Sequence, residues 1–199
     1  MKEIRKLDLQ FRAEEEAEDM KIKGYAVVFN SPETYSYTEV IDEHALDEAD
    51  MSDVVLRYNH EDTFMVLART RNKSLNLNVD EKGLFMEAQL QNDITQHRDI
   101  YNAIKSGLID KQSFAFTVDE DSYDYDTDTR TITKIGKLFD VSVVDQPFYN
   151  ATDVSLASQN DEFLTRREEL RKEHEEELKE IARQEELRKV KDRVLNKLG

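Results

Sequence analysis

The sequence predicts a mainly β domain of the α+β class, a closed or nearly closed antiparallel barrel with peripheral helices, followed by a long charged helix. Three observations point there. Short segments with period-2 alternation recur through the first three quarters of the 199 residues, separated by polar turns. About seven or eight such strands stand against two short helical patterns, a ratio that favours a sheet closing on itself over a layered α/β fold. Past residue 156 the pattern gives way to a run of strong helix formers. The expected division is therefore residues 1–156 as the β domain and 157–199 as a helical tail.

Taken in order, IRKLDLQF at 4–11 alternates Leu7, Leu9 and Phe11, and IKGYAVVF at 22–29 reads as a more buried strand. EHALDEA at 43–49 suits a short helix and DVVLRYN at 53–59 another strand. SLNLNV at 74–79 and LFMEAQL at 84–90 flank DEKG, the mark of a β-hairpin. Asp93 or Thr95 is placed to cap a helix whose Ile100, Tyr101, Ile104 and Leu108 share one side, and Gly107 to end it. IDKQSFAFTV follows as a strand, DEDSYDYDTDT at 119–129 as a long acidic loop, and RTITKIG and LFDVSVV as the last strands before Pro147.

Composition narrows the function classes. The formal net charge of -16 disfavours phosphate-backbone binding, and the β domain has no basic patch, so no nucleic-acid partner is expected. The absence of cysteine removes disulfides, thiolate nucleophiles and Cys-based zinc sites. The longest apolar run, YAVVF at 25–29, is far short of the roughly 20 residues that span a bilayer, and the N-terminus lacks an apolar signal core, so a soluble, unexported protein with no membrane partner is expected. Asp124, Asp126 and Asp128 imitate the start of a calcium loop, but Thr129 and Ile135 stand where its Gly and Glu belong; neither metal nor cofactor is expected.

The tail is charge-balanced, with twelve acidic and eleven basic residues over 161–199. Glu168 with Lys172 and Glu175 with Lys179 are among its i, i+4 pairs. Its apolar stripe, including Leu170, Leu178, Ile181 and Leu187, is thin and holds no unbroken heptad, which favours a solvated helix over a self-paired coiled coil.

Three residues stand out chemically. In the strand at 112–118, parity puts Phe114, Phe116 and Val118 on one face and Ser113, Ala115 and Thr117 on the other, a floor of small side chains with room for an extended substrate. Alone, Ser113 reads as a solvated hydroxyl, because a free alcohol is a weak nucleophile until a base takes its proton. Of four histidines, His174 lies in the charged tail, while His44 and His97 lie near predicted helix starts. His60 ends the strand VVLRYNH where it leaves the core, and is either the base or a surface loop histidine. Asp140 interrupts LFDVSVV, sharing a face with Ser142 while Phe139, Val141 and Val143 take the other. Strand interiors disfavour Asp, so it calls for a partner such as an imidazole, or else guards an edge strand against aggregation.

The order LRYNHED, IYNAIKSGLIDKQSFAFTV, KLFDVSVVDQPFYN resembles the prohead, or capsid-maturation, serine protease family of tailed bacteriophages, related in fold to the herpesvirus assemblins. The likeness covers roughly residues 20–155. It rests on the Asn-His pair, a Ser-Gly-Leu helix end about six residues before Ser-Phe-x-Phe, and an acidic residue before Val-Ser-Val-Val with a proline following. Family members often carry Glu at the place of Asp140 and Gly at that of Ala115. The resemblance implies an assemblin-like barrel, with Ser113 as nucleophile, His60 as general base and Asp140 as the orienting acid. It also implies a serine endopeptidase acting on scaffold protein, or on the scaffold-like part of the major capsid protein, inside the procapsid assembling in the host cytoplasm. The tail would serve self-association, scaffold docking or self-processing, and the junction LASQND at 156–161 would be proteolytically sensitive. Backbone donors for an oxyanion hole are expected in DQPFYN at 145–150. The rival class is a non-catalytic acidic capsid-assembly or scaffold factor, discriminated by whether His60 and Ser113 come within hydrogen-bond reach.

Overall fold

In a computed structural model of the chain, which describes residues 2–7, 12–13, 20–34, 36–145 and 157–198, the strands form two separate sheets. The strands are β1 (Lys2–Leu7), β2 (Arg12–Ala13), β3 (Lys21–Val28), β4 (Glu33–Thr34), β5 (Thr38–Ile41), β6 (Val55–Tyr58), β7 (Ala68–Arg69), β8 (Leu75–Val79), β9 (Gly83–Gln89), β10 (Lys111–Asp124) and β11 (Thr129–Val144). The helices are α1 (Thr95–Lys105) and α2 (Ala157–Leu198). Contacts divide the chain into two compact units, Met1–Asp153 and Val154–Gly199.

The first sheet runs β1-β10-β11-β5-β4, with β6 also paired to β11 and β7 to β6; the second runs β2-β3-β9-β8. Among the described residues neither sheet closes, so the expected barrel gives way to two open sheets over a shared core. The reason lies in β11. Its start pairs in parallel with β5, Thr129 to Ile132 against Thr38 to Ile41, and its end pairs in parallel with β6, Asp140 to Val143 against Val55 to Tyr58. Between them the chain loops over the same edge, Ile135 N donating to Ala45 O at 2.8 Å and Asp50 N to Gly136 O at 2.8 Å. Two short strands and a turn thus share an edge that a closed barrel would give to one long neighbour.

The core joins Ile22, Val27, Leu84 and Met86 of the second sheet to Phe114, Phe116, Ile135, Leu138 and Val141 of the first, with Ile100 and Ile104 of α1 packed in. Gly83 lets β9 start tight against β3. Its φ is +155°, and a Cβ there would lie 2.0 Å from Val27 O.

Local expectations fare unevenly. The β8–β9 hairpin forms as read. α1 ends as Gly107 predicts, in a Schellman motif: Gly107, with φ +73°, donates to Ile104 O, and Leu108 to Ala103 O. Its N-cap is Ile94, with no side-chain bond, in place of Asp93 or Thr95. The segment 43–48 is a chain of turns rather than a helix, closed by i, i+3 bonds such as Ala45 N to Asp42 O. The acidic stretch from 119 continues β10 to Asp124, leaving a turn only at 125–128. In the second unit α2 extends over 42 residues, and Leu178, Ile181 and Leu187 on it are exposed.

Candidate active site

The topology places β1, β10, β11 and β6 side by side; β10 and β11 each carry one residue singled out by sequence, and the third follows β6. In the β10–β11 ladder Ser113 faces Ser142 and Ala115 faces Asp140; in the parallel β11–β6 ladder Asp140 faces Val55 and Val143 faces Tyr58. His60 lies just beyond β6, and strand parity does not aim it. Asn59 and His60 both adopt left-handed backbone, with φ +51° and +59°, a conformation that costs a non-glycine residue roughly 1–2 kcal/mol. Asn59 N donates to Val143 O at 2.9 Å and Glu61 N to Tyr58 O at 3.0 Å, while Asn59 Oδ1 accepts from Asp145 N at 3.2 Å. These bonds hold the turn that folds the imidazole back over β11 and β10.

The result is a continuous chain of contacts. His60 Nδ1 lies 2.5 Å from Asp140 Oδ1, and His60 Nε2 lies 2.6 Å from Ser113 Oγ. A carboxylate only accepts, so Nδ1 carries hydrogen toward Asp140 and Nε2 presents its lone pair to the serine in the neutral ring. The geometry is that of a base able to take the serine proton, with a carboxylate fixing its tautomer. Asp140 is nearly fully buried. Burial raises its carboxyl pKa, but the hydrogen bond and charge of His60, together with Lys2, outweigh that and leave it below the usual carboxylate value.

Three neighbours of this chain were not assigned a part from sequence. Lys2 Nζ is 3.1 Å from Asp140 Oδ2. Ser142 Oγ lies 3.0 Å from Asp140 Oδ1 and 3.1 Å from His60 Nδ1. The carbonyl of Arg5, on the neighbouring β1, accepts from Ser113 Oγ at 2.6 Å. Parity had already put Ser142 on the face of Asp140; the β1 contacts depend on a strand pairing that no local pattern announces. The floor of small residues is also closed rather than open, since Ser113 and Ala115 are both 0% exposed.

The other histidines stand apart. His44 is exposed beside Asp47. His97 is buried, accepting from Gln91 N at Nδ1 and lying 3.2 Å from Val66 O at Nε2; burial lowers its pKa, against the opposing pull of the Val66 carbonyl and Asp93. The turn 124–128 folds onto its own backbone, Asp124 Oδ1 accepting from the amides of Asp126 and Thr127. Of the expected oxyanion segment 145–150, all but Asp145 lies outside the described residues, as does Leu156 of the expected junction, whose remaining residues begin α2.

Compared with known proteins, residues 7–166 match the family model described as caudovirus prohead serine protease. No curated protein and no solved structure matches the chain. The family match spans all three residues of the Asp140–His60–Ser113 chain and well over half of the sequence, and the protein therefore belongs to the caudovirus prohead serine protease family, the capsid-maturation serine peptidases of tailed phages.

Proposed function

We propose that this protein is a serine endopeptidase that cleaves the scaffold protein, or the scaffold-like segment of the major capsid protein, inside the assembling procapsid in the host cytoplasm. Ser113 is the nucleophile, His60 the general base and Asp140 the orienting acid. The observation that carries the reading is the unbroken contact chain, 2.5 Å from Asp140 to His60 and 2.6 Å from His60 to Ser113. Two strands and the turn after a third, distant in sequence, converge on it, and an ordinary polar surface gives no reason for that convergence.

In the first half-reaction His60 Nε2 takes the Ser113 proton as Oγ attacks the scissile carbonyl carbon. The imidazolium, held by Asp140, then gives the proton to the leaving amine. Water, activated by the same imidazole, next opens the acyl-enzyme and regenerates Ser113. Backbone donors at the oxyanion contribute about 3–4 kcal/mol each to such a transition state. Residues 1–156 carry this chemistry, and residues 157–199 form a helical tail that docks among scaffold helices. Removal of the tail should then lower the amount of protease found in purified procapsids.

The test is co-expression with the cognate scaffold and capsid proteins. Wild-type protein should yield processed products by mass spectrometry and Ser113→Ala should yield none. Unaltered processing by Ser113→Ala, with the protein folded, would overturn the reading.

A further inference from the structure

We propose that Ser142 is a positioning residue for the Asp140–His60 pair, a fourth member of the contact chain; this rests on the reading of Ser113, His60 and Asp140 given above. Ser142 is fully buried, so its hydroxyl needs partners within the protein. The partners recorded for Oγ belong to that pair: Asp140 Oδ1 at 3.0 Å and His60 Nδ1 at 3.1 Å.

The geometry assigns each hydrogen. Nδ1–H points to Asp140 Oδ1, since the carboxylate has none to give. The Ser142 O–H then donates to the same Oδ1, and its lone pair faces Nδ1–H as the weaker arm of a three-centre contact. Lys2 meanwhile engages Oδ2. Both carboxylate oxygens are thereby tied, one at the exposed end of the site and one in its interior, so the plane of the carboxylate cannot turn about the Cβ–Cγ bond.

The role follows from the residue found at position 140. Aspartate is one methylene shorter than glutamate and reaches the imidazole only if the carboxylate holds one orientation. Ser142 stands two residues along the same strand, with its side chain on the same face. It is also the register partner of Ser113, which places its strand position directly across from the nucleophile. A hydroxyl at this point restrains the carboxylate without contacting substrate. It also withdraws charge from Oδ1, so that Asp140 stabilises the imidazolium without trapping it.

The experiment uses the full chain, with kinetics on the wild type and two Ser142 variants and proton NMR in the Ser113→Ala background. Ser142→Ala should lower kcat by about tenfold, or ~1.4 kcal/mol of barrier, with KM unchanged. It should also move the acid limb of the kcat profile to higher pH, because a carboxylate freed of its donor holds the imidazolium more tightly. Ser142→Thr, which keeps the hydroxyl and suits a strand, should restore both. The reading of Ser113 is separated by a proton NMR measurement that needs no turnover: the downfield resonance of His60 Nδ1–H, followed in the Ser113→Ala background. Adding Ser142→Ala should shift or broaden that resonance. An unmoved resonance together with an unmoved acid limb would overturn the positioning role, even if activity fell. Ser113→Ala retaining cleavage would instead overturn the nucleophile assignment.

Discussion

The carbonyl oxygen of Arg5 lies 2.6 Å from Ser113 Oγ, as close to the hydroxyl as His60 Nε2. The hydroxyl has a single proton, so the Arg5 carbonyl on β1 competes with the His60 ring for it. A substrate carbonyl must also reach a side chain that is fully buried beneath this arrangement. Strand β1 is held by more than its ladder, because Glu3 and Arg5 are buried among Glu39 and Arg130. Access to Ser113 should therefore require β1 to shift. The protein has no native cysteine, which permits a clean clamp at the paired positions Ile4 and Ala115. In the Ile4→Cys/Ala115→Cys protein, oxidation should slow fluorophosphonate labelling of Ser113 at least about tenfold relative to the same protein reduced, with reductant restoring the rate. Equal rates in the two forms would show that β1 need not move.

Replacing Asp140 with Asn keeps the size and removes the charge. The amide can present N–H to Nδ1 and turn the imidazole to the wrong tautomer, an effect of about 10⁴ in kcat in the serine protease template. Proteolysis of the scaffold should fall accordingly while the melting profile near neutral pH stays cooperative. The carboxyl also links stability to pH. Its folded pKa is depressed, so its contribution is fully present above the unfolded value of about 3.9 and is lost as pH falls through the folded one. Urea titrations of wild type and Asp140→Asn should differ most above about pH 5 and converge in more acidic buffer.

The buried charges on β1, β5, β10 and β11 form one network. Arg130 Nη1 binds Glu3 Oε2 at 3.0 Å and Glu39 Oε2 at 3.1 Å, and its Nε binds Asp121 at 2.7 Å. Arg5 Nη2 binds Glu39 Oε2 at 2.7 Å. Removing one cation leaves buried carboxylates uncompensated, so Arg130→Ala should destabilise the β domain by about 3–5 kcal/mol. Chemical denaturation measures this; a loss under about 1 kcal/mol would mean that the network relaxes into water.

Gln112, next to Ser113 but on the opposite strand face, is fully buried, and neither its Oε1 nor its Nε2 has a hydrogen-bond partner among the described residues. An unsatisfied buried amide costs about 1–3 kcal/mol. Gln112→Met, of similar length and apolar, should raise the urea midpoint. A lowered midpoint would indicate that the amide is paired in solution.

How far the sequence foretells this protein depends on the distance over which each feature is decided. The β8–β9 hairpin and the Gly107 stop of α1 rest on neighbouring residues, and both were legible. So was the shared face of Asp140 and Ser142. The parallel pairing of β11 with both β5 and β6 is set by contacts about 90 residues apart, with no local signature, so the barrel expectation had nothing to correct it. The acidic run 119–124 read as loop because Asp and Ser disfavour strands. In the structure Asp121 meets Arg130, and Tyr123 OH bonds Asp128, which offsets that preference. Among the described residues His60 is the histidine that lies within hydrogen-bond distance of both Asp140 and Ser113, and strand parity does not explain this: the left-handed Asn59–His60 turn aims it, and only the tolerance of Asn for that conformation hinted at a turn.

Peptide mapping after treatment with a fluorophosphonate tests the central claim most directly. The wild-type protein should carry the adduct on Ser113, and His60→Ala, with the hydroxyl intact but no base, should label at least about 10³-fold more slowly. An adduct on a different residue, or equal labelling of Ser113 without His60, would contradict a nucleophile activated through the Asp140–His60 pair.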